Sequence, residues 1–196
     1  MARYPDRRRA LGILGTLALG AALGRTDAAA AAPAGLAPDF TLSDQHGRPF
    51  TLSHERGHPV VLFFGYTHCP DVCPTILANL EHARTTIGAD AGDLVVALVT
   101  VDPSRDSAKE LRDFVSVFNP AFLGLRGTGT QLAPVYRAYH VQIEKQAGDA
   151  AGYLVSHTAF VYYVGRDGRL RGYGTWSDPQ DVLLEDLRGI TAKAAR

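Results

Sequence analysis

The sequence is poor in several kinds of residue, and each shortage excludes a class of protein. Two cysteines are too few for the several disulfides with which small secreted domains replace a missing core. The one methionine is Met1, so the mature domain cannot use a methionine-rich thioether site for a soft metal. The formal net charge is zero, which excludes the basic footprint of a nucleic-acid-binding protein.

Length and composition indicate one globular domain. A chain of 196 residues with 46% apolar content can bury a full core. The sequence contains no internal repeat and no linker between two domains. We therefore expect a single folded domain, which we place at residues 33–196.

The first 32 residues have the pattern of an export segment. Three arginines at positions 7–9 precede an apolar run from Ala10 to Leu23, and a small-residue tract with A-x-A cleavage sites follows at 28–32. The apolar run is shorter than the roughly 20 residues that cross a bilayer comfortably. Residues 1–32 are thus predicted to be an export signal, with an uncleaved N-terminal membrane anchor as the alternative. The domain is expected in the bacterial periplasm or at the outer face of the cytoplasmic membrane.

Both cysteines lie in the stretch "FFGYTHCPDVCPTILANL", where three residues separate Cys69 from Cys73. An even cysteine count in an exported protein usually means a structural disulfide. A bridge between these two residues, however, would close a tiny loop and give little entropic stabilisation. Two nearby sulfurs can instead form a reversible disulfide or hold a soft metal, and the spacing alone does not separate those uses.

The local pattern places both thiols where a strand meets a helix. The unbroken apolar run from Val60 to Tyr66 is typical of a central strand buried on both faces. A helix is predicted to begin at Pro74, because proline suits the first helical position. Cys73 is then expected at the helix N-terminus, where the partial positive charge lowers the pKa of a thiol. Cys69 would lie on the preceding loop, at the corner where open α/β sheets place their sites.

The remaining patterns predict the order of the other elements. In chain order these are an extended pair turning at His46–Gly47, a buried strand at 93–101, an amphipathic helix ending at Asn119–Pro120, a strand at 122–125, a helix at 131–139, a hairpin of strands 157–164 and 169–173, and a last helix from Asp178 that buries Val182, Leu183 and Leu187. This order predicts an α/β, thioredoxin-like fold. Helices flank a central mixed sheet, and an N-terminal extended pair and an inserted helix are added to it.

Several segments together resemble the Sco/SenC family, the copper chaperones of cytochrome c oxidase assembly. They are "GYTHCPDVCPT", "VDPSRD", "LRGT" followed by "RAYHV", and "YLVSHTAFVYYVGRDGRLRGYG", and they extend from about Pro38 to Leu187. The resemblance implies a thioredoxin fold and a membrane-facing location. It also implies one copper ion held by Cys69, Cys73 and His157. The implied partner is the copper-containing subunit of the oxidase, with a periplasmic thiol reductant and other copper carriers as further candidates.

The implied ligands suit copper chemically. Cu(I) is soft and favours two or three thiolate and imidazole ligands, with Cu(II) as the second oxidation state to consider. Zinc would normally require a fourth ligand. Thioredoxin-like reductases resemble one another in carrying a cis-proline loop beside their cysteines, whereas here the run is Ser156-His157-Thr158. An imidazole at that point favours a metal site over a reductase.

Other polar residues near these motifs have weaker indications. Many relatives carry an aspartate before the histidine, where this chain has Ser156. Asp71 and Asp102 are the nearest carboxylates that could orient a ligand or dock a partner, and a role in a turn or helix cap is the alternative. The remaining histidines are expected on loops or at the surface and are not proposed as ligands: His46, His54, His58, His68, His82 and His140.

Three functions stay open at this point, two of them principal. The first is a metallochaperone, a binding protein that passes Cu(I) to the binuclear copper site of an oxidase. The second is an enzyme, a thiol-disulfide oxidoreductase that uses Cys69 and Cys73 to reduce the cysteines of that site. A redox or copper sensor is a third. Copper binding should need His157, whereas dithiol exchange should need only the two cysteines.

Overall fold

The computed structural model describes residues 35–148 and 152–192. Its strands, in chain order, are β1 (Thr41–Ser43), β2 (Pro49–Thr51), β3 (Val60–Gly65), β4 (Val95–Thr100), β5 (Leu123–Leu125), β6 (Ile143–Lys145), β7 (Val155–His157), β8 (Phe160–Val164) and β9 (Leu170–Thr175). The helices are α1 (Val72–Ile87), α2 (Ala108–Ser116), α3 (Gly129–Ala138) and α4 (Gln180–Thr191), with short 3-10 turns at Leu52–Glu55 and Gly88–Ala91.

Five of the strands form the central sheet in the order β5-β4-β3-β8-β9. Strands β3, β4 and β5 are parallel, whereas β8 is antiparallel to β3, and β9 to β8. The sheet is therefore mixed, and helices flank it. This architecture confirms the predicted α/β, thioredoxin-like fold.

The apolar runs of the sheet supply two cores because successive side chains of a strand point to opposite faces. Val60, Leu62 and Phe64 enter one core, which also takes residues of the β1–β2 pair and α3. Val61 and Phe63 enter the other core, together with residues of α1, α2 and α4. All six residues of β3 are buried. The predicted central strand is thus confirmed, and its carboxyl end leads directly to the cysteines.

The N-terminal extended pair is also present. Strands β1 and β2 pair antiparallel, and Gly47 has a φ of 78° in the turn, a conformation that glycine adopts without steric cost. The buried side chain of Gln45 attaches this pair to β5. Its Nε2 donates to the Phe122 carbonyl, and its Oε1 accepts from the Gly124 amide, each at 2.9 Å.

Two helices begin earlier than predicted. Helix α1 starts at Val72 rather than Pro74, so Cys73 is its second residue. Helix α3 starts at Gly129 rather than Gln131, because Thr128 and Gln131 form a capping box that satisfies two terminal amides. Both differences are shifts of two residues at a helix end, where competing caps decide the boundary.

The predicted strand 157–164 is wrong as one continuous element. His157 ends β7, which pairs antiparallel with β6 in a separate two-stranded sheet, and the central sheet resumes only at Phe160. Strand β6 was not predicted. We refer to this two-stranded element as the β6–β7 sheet. It carries His157 outside the central sheet.

At the C-terminus, one predicted core residue is exposed. Val182 has 40% exposure, whereas Leu187 is buried as expected. Asp178 accepts from the amide and hydroxyl of Thr175, so it stabilises a turn rather than capping α4. The predicted export segment, residues 1–32, lies outside the described residues, and the domain boundary at residue 33 stays a prediction. Among the described helices, none has the length and apolarity needed to span a membrane.

Candidate metal centre

The two cysteines lie where the loop after β3 enters α1. Cys69 is half-buried on the loop, and Cys73 is fully buried in the first turn of the helix. Both are free thiols. The Cys73 amide donates to the Cys69 sulfur at 3.4 Å, because the first amides of a helix have no partner within the helix. The helix N-terminus therefore faces the Cys69 sulfur.

The predicted thiolate is consequently the wrong one of the pair. The pKa of Cys69 is lowered to about 4, chiefly by a hydrogen bond from the Cys73 side chain and further by His157 and the amides of Cys73 and Asp71. The pKa of Cys73 is raised above its usual value by that same bond and by burial. The expected lowering of the Cys73 pKa is wrong because Cys73 keeps its proton in the bond to Cys69 and is buried, while its amide donates to the sulfur of Cys69, four residues earlier.

His157 reaches the site from the end of β7. Its ring packs edge-on against the ring of Tyr66, with the centroids 5.9 Å apart, and its side chain helps to lower the pKa of Cys69. Its Nδ1 is 3.0 Å from the carbonyl oxygen of Thr158. Because a carbonyl oxygen only accepts, Nδ1 carries a proton there, and a metal ion would meet this histidine through Nε2.

The three predicted ligands lie around one sulfur. The Cys73 amide donates to Cys69 Sγ, and the side chains of Cys73 and His157 both lower the pKa of Cys69. Within the part of the chain that the structure describes, no group of three or more His, Cys, Asp and Glu side chains stands in a metal-binding arrangement. Holding an ion with all three ligands thus requires a further approach of these side chains.

Two fully buried aspartates lie beside this site, and both come from the segment "VDPSRD". Asp106 accepts from the amide and hydroxyl of Thr67, at 3.2 and 2.7 Å, and from the hydroxyl of Thr100 at 2.5 Å. Asp102 accepts from Arg105 Nε at 2.5 Å and from the Tyr153 hydroxyl at 2.7 Å. Asp102 was a candidate from the sequence but Asp106 was not, because its bonds to Thr67, 39 residues away, exist only in the fold.

The other candidates have peripheral positions. Asp71 occupies the N-cap position of α1 without a side-chain cap bond. Ser156 stands where many relatives carry an aspartate. It is exposed and accepts from Gln146 Nε2 at 2.9 Å, so this position supplies no carboxylate. The histidines not proposed as ligands are all exposed, as expected: His46, His54, His58, His68, His82 and His140.

Comparison with known proteins shows which chains this one is similar to. Residues 28–192 match the family model described as SCO1/SenC. The chain is 34% identical over 153 residues to the mitochondrial protein SCO2 homolog of Bos taurus. The aligned region covers 76% of this chain and 58% of that protein. It is 31% identical over 133 residues to an SCO2-like protein of Rickettsia prowazekii, and this aligned region covers 66% of this chain and 64% of that protein. The chain thus spans less than two thirds of the length of both relatives.

The fold of this chain also resembles a solved structure over nearly the whole length of that structure. Bradyrhizobium japonicum ScoI, solved with copper bound, superposes with a TM-score of 0.71 and 33% sequence identity. The superposition covers 80% of this chain and 99% of that chain.

Proposed function

Because the chain belongs to the SCO1/SenC family, we propose that it is a copper metallochaperone. It holds one copper ion as cargo through Cys69, Cys73 and His157, and it delivers that ion to the binuclear copper site of cytochrome c oxidase. The observation that carries this proposal is the position of Cys69, a half-buried sulfur that accepts from the Cys73 amide at 3.4 Å and whose pKa the side chains of Cys73 and His157 both lower.

The donor set fits the proposed cargo. Two sulfurs and one imidazole are the ligands that Cu(I) prefers, and a relative 33% identical to this chain has been solved with copper bound. Thiolates rather than thiols bind metals, and the lowered pKa of Cys69 supplies a thiolate at neutral pH. The nearby carboxylates of Asp102 and Asp106 are not proposed as ligands, because each accepts hydrogen bonds from protein groups.

The unequal thiols give the binding residues different roles. Cys69 meets an incoming ion first because its sulfur is ionised and partly exposed. Cys73 is buried and protonated, so it must release its proton before its sulfur binds. During delivery, thiols of the partner displace Cys69 and His157 first, since both are accessible, and buried Cys73 releases the ion last.

Family membership and the predicted export segment support the proposed partner and location. The Sco family is linked to cytochrome c oxidase assembly. We therefore assign the copper-containing oxidase subunit as the recipient. Residues 1–32, whether a signal or an anchor, would bring the domain to the outer face of the cytoplasmic membrane, where it can reach that subunit.

Copper titration of the reduced protein tests the ligand set. We expect one Cu(I) per chain in competition with a chromophoric chelator. Replacing Cys69, Cys73 or His157 by alanine should each lower the affinity at least about tenfold, because a three-coordinate site loses a third of its ligands. His68→Ala is the matched control, since that exposed imidazole adjoins Cys69 without being a proposed ligand. Unchanged copper content in either cysteine variant would contradict the proposal.

A thiol-disulfide oxidoreductase is the second candidate, and the pKa pattern favours it specifically. A half-exposed thiolate beside a buried protonated thiol resembles an attacking and a resolving cysteine. The test is oxidase activity in a strain that carries only His157→Ala. The metallochaperone proposal expects failure at limiting copper and rescue by excess copper. Full activity at limiting copper would favour the reductase, because disulfide exchange needs no imidazole.

A further inference from the structure

The proposed ligands are carried by two structurally separate elements. Cys69 lies on the loop between β3 and α1 and Cys73 in the first turn of α1, next to the central sheet, whereas His157 lies on the β6–β7 sheet, which has no ladder with the central strands. A short two-stranded sheet is marginally stable by itself. The position of the imidazole relative to the thiols therefore depends on what attaches the β6–β7 sheet to the rest of the domain.

One attachment is a polar cluster beneath Tyr153, two residues before β7. The Tyr153 hydroxyl donates to Asp102 Oδ1 at 2.7 Å, and Arg105 Nε donates to Asp102 Oδ2 at 2.5 Å. The Arg105 guanidinium also lies 3.7 Å from the centroid of the Tyr153 ring. Lys145 of β6 joins this cluster, with its Nζ 3.9 Å from Asp102 and 4.6 Å from the Tyr153 centroid. Both strands of the β6–β7 sheet are thus connected to Asp102.

Tyr66 connects this cluster to the site itself. Its hydroxyl accepts from the Val155 amide at 3.2 Å, and its ring packs edge-on against His157. The guanidinium of Arg105 lies 5.7 Å from its ring centroid, on the way to Tyr153. Tyr66 also begins the loop that leads to Cys69, so a change at Arg105 can reach both the thiol loop and the imidazole.

The same short segment also holds the thiol side. We call residues 101–107, between β4 and α2, the β4–α2 loop. Its Asp106 bonds the amide and hydroxyl of Thr67, two residues before Cys69. Its Asp102 is fully buried and bonds Tyr153 on the imidazole side. One loop therefore contacts both ligand-bearing elements, at Thr67, two residues before Cys69, and at Tyr153, four residues before His157.

We propose that Asp102, Arg105 and Tyr153 form a latch that positions His157 for the cargo while the β4–α2 loop holds the thiol loop in place. This inference rests on the proposed function only in naming copper as the cargo. The three residues are positioning residues and do not touch the ion. They act by keeping the β6–β7 sheet docked, so that the imidazole remains within reach of Cys69.

Tyr153→Phe is the sharpest test because it removes one hydroxyl and keeps the ring that stacks on Arg105. Tyr173→Phe is the matched control, since it removes a tyrosine hydroxyl from the half-exposed face of β9. The readout is amide hydrogen exchange in the reduced protein without added metal. Exchange at Val155 should accelerate about tenfold in Tyr153→Phe, because a hydrogen bond to a buried charged group is lost, and should be unchanged in the control. Equal exchange in the two variants would overturn the latch.

A double-mutant cycle then separates positioning from general destabilisation. Tyr153→Phe should lower Cu(I) affinity about threefold to tenfold in the otherwise unchanged chain, because the binding-competent arrangement is less populated. In the His157→Ala background it should cause no further loss, since there is no imidazole left to position. An equal loss in both backgrounds would overturn the inference. If His157→Ala leaves copper affinity unchanged, the proposed ligand set fails, whereas the hydrogen-exchange result still decides whether the latch exists.

Discussion

At the scale of single residues, the two thiols differ in chemistry although they share one helix end. Cys69 accepts hydrogen bonds from the Cys73 side chain and amide, and its pKa is lowered to about 4. The hydrogen bond to Cys69, burial and the negative charge of Cys69 together raise the pKa of Cys73. A group whose pKa falls on folding is ionised in the native protein at pH values where it is still protonated in the unfolded chain. Between about pH 4 and pH 9, Cys69 therefore favours the folded state increasingly as the pH rises.

Alkylation with iodoacetamide should reveal this difference. In the reduced native protein, the rate at Cys69 should change less than about twofold between pH 5.5 and pH 7.5, because the sulfur is already a thiolate. In urea, the rate should rise about a hundredfold over the same two units, as expected for an ordinary thiol. Cys73→Ala removes the principal cause of the low pKa and should restore a steep pH dependence. A tenfold rise per pH unit at native Cys69 would refute the assignment.

At the scale of secondary-structure elements, the end of β3 and the start of α1 fit closely. A β-carbon added at Gly65 would lie 2.7 Å from Cys73 Sγ and 3.0 Å from Leu98 Cδ1. These distances are shorter than van der Waals contact, so the helix can approach the sheet only if this position has no side chain. The close approach puts the Cys73 sulfur directly against the strand.

Gly65→Ala should therefore destabilise the reduced protein by about 1–3 kcal/mol, the usual cost of overpacking a core. Gly189→Ala is the matched control, because its added β-carbon would meet nothing within 4 Å on α4. That substitution should stabilise by about 0.5–1 kcal/mol, since alanine favours the helix. Urea denaturation measures both free energies of unfolding. A Gly65→Ala variant as stable as the parent would show that the strand and helix can separate without cost.

The apolar pattern of each element decided whether it could be predicted from the sequence. Strands β3 and β4 were identified because strands buried on both faces are continuous apolar runs. Strand β6 has three residues, two of them exposed, so it carries no periodic signal. The latch was equally hidden: Tyr153 and Asp102 are 51 residues apart, and only the fold brings them together. The candidate ligands came from a family resemblance, whereas the unequal pKa values depend on the contact between the two cysteines and on the burial of Cys73, which only the fold sets.

At the scale of the whole molecule, the register of the sheet separates two ends. The cysteines follow Gly65, which pairs with Thr100 at the carboxyl end of β3. The start of the described chain lies at the other end. The amide of Ala37 donates to Gly168, in the turn after Val164, which pairs with Val60. Six residues of β3 separate these ends, a distance of about 20 Å at 3.3 Å per residue.

A surface attachment through the residues before Gly35 should therefore leave the thiols free. We expect protein fixed to a support by an N-terminal tag to take up Cu(I) with the affinity of protein in solution. Attachment through a bioorthogonal side chain placed at Gln146, beside the β6–β7 sheet, should lower Cu(I) uptake, because the support would obstruct His157. Equal uptake from both orientations would contradict this separation of the two ends.

The thiols and the start of the described chain lie at opposite ends of β3, which would orient a protein attached to a membrane through its N-terminus. If residues 1–32 are retained as the alternative anchor, the thiols would face away from the bilayer, because they lie at the opposite end of β3 from Ala37. An acceptor would then have to approach that outer end. Lengthening the segment before Gly35 would increase the distance between the thiols and the lipid without changing any of the proposed copper ligands.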